Sequence, residues 1–174
     1  MLLSFTLWIQ ATDFFTYLRG SAYSYPVVLS LHMVALATFG GLILMTDLRL
    51  LGLAMRKRPV ADVVDQLRRT KRFGLLLMVT LGILLAGCKA EEYYYNIFFR
   101  LKLTLLALVI VHALIFRRTV YSRAAEMDRM GRIPGRAKLA AALSLILWGG
   151  IACMGRGIGY IDPPFGIHAQ LWRL

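Results

Sequence analysis

The stretch LHMVALATFGGLILMTDLRLLG, Leu31 to Gly52, decides the fold. It is apolar enough for a buried helix, yet it holds an imidazole (His32) near one end and Asp47-Leu48-Arg49 near the other. A continuous greasy run of this length is what a bilayer demands, since a spanning helix needs about 20 mostly apolar residues. Charged and titratable groups inside such a run are costly, so each one is a candidate for function.

Working outward, the rest of the chain repeats the pattern. Of its 174 residues, 59% are hydrophobic, and the mean hydropathy is +0.64. The apolar residues fall into runs with charge confined between them. Four spans are predicted, at about 25–46, 73–88, 98–116 and 139–154. Some are short for a span, which tilt or local thinning accommodates. The expected fold is all-α: an integral membrane four-helix bundle over residues 21–159, with an extracytoplasmic tail at 160–174.

Residues 1–20 read differently. Leu7, Ala11, Phe14, Phe15 and Leu18 recur at helical spacing, with Thr6, Gln10, Asp13 and Thr16 opposite. That pattern predicts one amphipathic helix lying on the bilayer surface. Asp13 stands where a secretory signal would be apolar, and no basic segment precedes it.

The net charge of +12 would point to nucleic acid in a soluble protein. Here Met55–Arg72 and Arg117–Lys138 hold seven Lys and Arg each, both between spans, so no nucleic-acid partner is expected. Basic loops stay in the cytoplasm. The expected location is therefore the bacterial inner membrane, with both termini outside and an anionic cytoplasmic leaflet as partner of the basic loops. Trp8, Tyr23, Tyr25, Tyr93 to Tyr95 and Tyr160 gather at the other face, as an aromatic belt does. Within the loops, VADVVDQLRR and SRAAEMDRMGRIPGR predict short helices, the second broken near Gly131 and Pro134. Cys88 and Cys153 belong to no C-x-x-C pair and read as small apolar packers. Small residues, including Gly40, Gly41, Gly82, Gly87, Ala141, Ser144, Gly149 and Gly150, predict close helix contacts.

Four titratable side chains stand within spans or at their ends: His32, Asp47, His112 and Arg156. His32 falls roughly 9 Å inside the outer face, and Asp47 about 22 Å further along. His112 falls about 8 Å from the opposite face. Two clusters follow: His32 with Arg156, Lys89 and the tyrosines outside, and Asp47 with His112 and Arg49 inside. Lys102 is expected to snorkel outward. Histidines on separate spans of a four-helix bundle hold b-type haem, so His32 and His112 are the candidate iron ligands, with Arg156 for a propionate. Both ligands of one iron need similar depth, and these differ by roughly 13 Å across a core of about 30 Å. His32 with His168 of the tail is the easier pair in depth. Copper transport would want Met and His along a path, and no M-x-x-M spacing falls within a span.

Several segments resemble an uncharacterised bacterial family of four-span membrane proteins, a domain of unknown function. They are YPVVLSLHMVALATFGGLILMTDLRLLGL, TLGILL, FFRLKLTLLALVIVHALIF and WGGIACMGRGIGY. The resemblance covers roughly residues 20 to 160 and extends, more distantly, to small membrane cytochromes and copper-resistance membrane proteins. It implies His32, Asp47, Arg49, Lys102 and Arg156 as the positions to watch. In that pattern the position of His112 often holds asparagine.

No nucleophile–base–orienter set can be assembled, so a stand-alone enzyme is not expected. Two readings of function stand. One is a cofactor-free accessory or scaffold subunit that docks protein partners or a second copy of itself. The other is a small b-type membrane cytochrome passing electrons through His32.

Overall fold

The computed structural model describes residues 1–160, apart from the side chains of 117–119. His168 and the tail beyond residue 160 lie outside the described residues. Eight α-helices follow one another: α1 Leu2–Gln10, α2 Asp13–Gly20, α3 Ser24–Leu51, α4 Val60–Cys88, α5 Ala90–Tyr95, α6 Ile97–Thr119, α7 Ala124–Arg129 and α8 Gly135–Gly157. A single 3-10 turn, Tyr121–Arg123, joins α6 to α7. The described residues form no strand. The fold is all-α, and α3, α4, the segment beginning with α6, and α8 are each long and apolar enough to cross a membrane.

Local chemistry explains where these helices begin and end. Ser21 Oγ accepts from the Ser24 amide at 3.0 Å, and Pro26 falls in the first turn of α3, where a missing N–H costs nothing. α3 ends at Gly52, whose φ of +76° closes the helix in the left-handed region. Asn96, 1% exposed, caps α6 by accepting from Phe98 and Phe99 amides at 2.9 and 3.2 Å. The cap of α4 comes from far away. Asp128 in α7 accepts from the Val60 and Ala61 amides at 2.7 and 2.9 Å.

α3 packs between α4 and α8, and α8 packs between α3 and α6. Among the described residues α4 and α6 share little packing and border one flank of the bundle. That flank is closed at the end carrying the basic loops (the basic end). There Leu50, Val60, Val64, Phe116, Val120, Ala124, Met127 and Ala137 form one buried cluster. A second cluster, Ala35, Phe39, Met78 and Leu81, joins α3 to α4, and Trp148 of α8 meets Phe39 edge-on at 5.3 Å. Outward-facing residues such as Leu76, Ile83, Leu114 and Ile146 are apolar and more than 60% exposed, as a lipid-facing surface is.

Three expectations change. The N-terminal segment is two helices, not one: Thr12 adopts extended backbone (φ −64°, ψ 145°) and breaks it. Leu7 and Phe14 of the apolar face expected on the bilayer are exposed, while Leu18 is buried against the bundle. Span two starts at Val60, so the short helix expected in the first basic loop is the first turns of α4, and Arg68 to Arg72 ride on it. Cys88 is buried, Cys153 is exposed, and both are free thiols.

Candidate functional site

The membrane-spanning helices carry polar side chains at two levels, one near each end. At the basic end, Thr46 and Asp47 of α3 are each 1% exposed. Lys71 of α4 donates to Thr46 Oγ1 at 2.5 Å and lies 5.5 Å over the Tyr121 ring. Asp47 faces the Lys71 ammonium and the hydroxyl of Ser144 on α8. Its second oxygen, Oδ2, is buried without a hydrogen bond among the described residues. Three spans thus bring polar side chains together, with Thr46 in hydrogen-bond contact with Lys71. Arg49, also buried, turns away and donates from Nε to the Arg58 carbonyl at 2.8 Å, which ties the loop after α3 back to its last turn.

This corrects the expected inner cluster. Asp47 lies near Lys71 and Ser144, while Arg49 and His112 bond elsewhere. His112 reaches across to α8 instead, with Nε2 3.1 Å from the Ala140 carbonyl, and stacks on Phe116 at 5.3 Å. Lys71 escaped the sequence reading because Arg68 to Arg72 looks like loop charge. The signal available was helical periodicity running back through them from Val63 and Val64.

The other level lies toward the end carrying the tyrosines (the aromatic end). His32 leans from α3 onto α4. A Cβ at Gly82 would meet its Cε1 at 3.2 Å, so any larger residue there would push the imidazole by a few tenths of an ångström. The Met78 carbonyl is beside the ring, yet Nδ1 is buried and completes no hydrogen bond among the described residues. Lys102 of α6 is close enough for its charge to act on the imidazole. Its side chain lies along the last turns of α8, with Nζ 3.5 Å from where a Gly155 Cβ would stand. Among the described residues it has no carboxylate partner.

Arg156 follows Gly155 but is exposed, bonded to the Tyr160 hydroxyl, with its guanidinium 4.5 Å over that ring. The structure brings His32 to Lys102 and keeps it from His112, since Lys102 and His112 are ten residues apart on α6, about 15 Å. Beyond α4, Lys89 pairs with Glu92 at 3.0 Å, which raises the lysine's pKa. Burial, with Tyr25 beside it, pushes the Tyr93 phenol above its usual range.

Set against a haem, these residues offer one imidazole with a buried, unpartnered nitrogen, and one uncompensated cation beside it. They do not offer two facing histidines. Among the described residues, no three His, Cys, Asp or Glu side chains converge as a multidentate metal site would require. The chemistry of the pair is that of a nitrogen ligand next to an anion-binding ammonium.

Comparison with known proteins yields a family and nothing finer. The model of a family of unknown function (DUF6644) matches residues 5–161. No curated protein and no solved structure is significantly similar to the chain.

Proposed function

The chain belongs to this family of unknown function, and from that premise we propose that it is a small membrane electron carrier. In this reading a b-type haem is held at the aromatic end, with His32 as iron ligand. The location is the bacterial inner membrane, both termini outside. The observation that carries the reading is the buried His32 Nδ1, which completes no hydrogen bond among the described residues, in an imidazole within reach of the Lys102 charge. Polar groups left unpaired away from water cost several kcal/mol, roughly, so a group that engages both would repay that cost.

Bound there, haem supplies one-electron chemistry that the side chains lack. The chain's own part is to hold and orient. His32 would bind, Gly82 would leave space beside its ring, and Lys102 with Arg156 would supply positive charge for the propionates.

The test is the visible spectrum of the detergent-purified protein, made with haem in plentiful supply. A Soret band that shifts on reduction, is lost in His32→Ala and survives in His112→Asn is the expected result. A colourless, monodisperse preparation overturns the reading. Orientation is checked separately by thiol labelling of intact cells with a cysteine placed between Asp62 and Gln66, which stays unlabelled if the basic loops face inward.

A second reading, the cofactor-free accessory subunit, is favoured by one observation. Gly40, Gly41 and Gly149 have nothing within 4 Å of where a Cβ would stand. They make no close contact inside this chain, so they leave room for a helix of another chain. Crosslinking in membranes that traps a partner in the parent protein and loses it in Gly41→Ile supports this reading, and a crosslink-free parent counts against it.

A further inference from the structure

α1 and α2 are different objects. α1, LLSFTLWIQ, contains no charged residue and buries none of its side chains inside the protein. Leu2, Phe5 and Trp8 are 73%, 56% and 65% exposed, with Phe5 and Trp8 stacked at 6.1 Å. Two of its three polar side chains are already bonded. Thr6 donates to the Leu3 carbonyl at 2.8 Å, and Gln10 Oε1 accepts from the Glu91 amide at 2.9 Å. α2 carries the charges: Asp13 opens it, and Arg19 near its end donates to the Cys88 carbonyl at 3.2 Å. Phe15 fills the space over Gly87, and Leu18 is buried.

The arm is thus fastened at several points to the end of α4 and the start of α5, beside helices whose outer surfaces are lipid-facing. A stacked Phe–Trp face continuous with that surface, on a helix with little need of water, fits the acyl edge of a leaflet. An aqueous position would leave several large apolar side chains wet at once. It would also form an exposed apolar patch of the kind that soluble surfaces avoid.

We propose that α1 is a lipid-embedded anchor lying at the boundary of headgroups and acyl chains at the aromatic end, while α2 is the polar strap that fixes it to the bundle. The occupant of the exposed α1 face is phospholipid. The energy comes from area buried in that boundary.

The test uses the full chain in phosphatidylcholine vesicles, and the Trp8 signal is isolated as the difference between the parent and Trp8→Phe. Acyl chains brominated close to the headgroup are expected to remove most of that difference emission, and aqueous iodide to remove little. Strong iodide quenching with no effect of bromine places the arm in water and overturns the proposal. Protection from both quenchers means that a protein partner or a second copy covers the face, and overturns it equally. Trp148, packed against Phe39, stays in place as an internal check that the bundle is folded.

Discussion

The two ends of the bundle treat polar side chains differently. At the basic end, Lys71 donates to Thr46, Arg49 bonds the Arg58 carbonyl and Asp128 accepts two amides, while Asp47 Oδ2 is left without a hydrogen bond among the described residues. At the aromatic end, His32 keeps a buried nitrogen unpaired, and Lys102 has no carboxylate among the described residues. Paired groups hold helices together. Unpaired ones in a membrane interior weaken the fold unless something else uses them. The difference separates a fastening from a site.

The largest way to break this comparison is at Asp47. Replacing it with Ala removes the carboxylate near the half-buried Lys71, with an expected loss of about 2–3 kcal/mol. Adding Lys71→Met should recover most of that, since removal of a whole pair is often neutral. Reversible unfolding in mixed detergent micelles measures both. If the double variant is no better than the single, the pair is not what fastens the basic end.

Next in size is Asp128→Ala, which uncaps α4. The expected cost is about 1–2 kcal/mol in the same assay, with Asp128→Asn falling between. His32→Ala should cost only about 1 kcal/mol, because it breaks no completed Nδ1 hydrogen bond. A loss as large as that of Asp47→Ala would mean that the aromatic end is as tightly fastened as the basic end. The smallest effect belongs to the exposed Lys89–Glu92 pair. The lysine's pKa is raised by its partner, so its contribution is full below the ordinary 10.5 and fades as pH rises past the shifted value. Partial exposure limits it to a few tenths of a kcal/mol, roughly, visible as a slight drop in melting temperature in alkali that Glu92→Gln removes.

The four spans were legible because hydropathy alone marks them, and the depth arithmetic on His32 and His112 already pointed to the separation that the structure shows. Other features were not legible, for identifiable reasons. Lys71 sits in a run of basic residues that reads as loop, and only the continuity of α4 across the interface brings it inward. The break at Thr12 was hidden because the apolar periodicity runs through it without interruption. Asp128 lies in a basic segment, and nothing local marks it as the cap of a helix that starts 68 residues earlier.

That cap has a consequence for how the chain is made. The first amides of α4 find their acceptor only in a residue that leaves the ribosome 68 positions later, after the whole third span has been synthesised. Until then the second span can enter the bilayer, but its leading turn stays unfinished. A nascent chain halted short of residue 128 should expose that turn to proteases that the released protein resists.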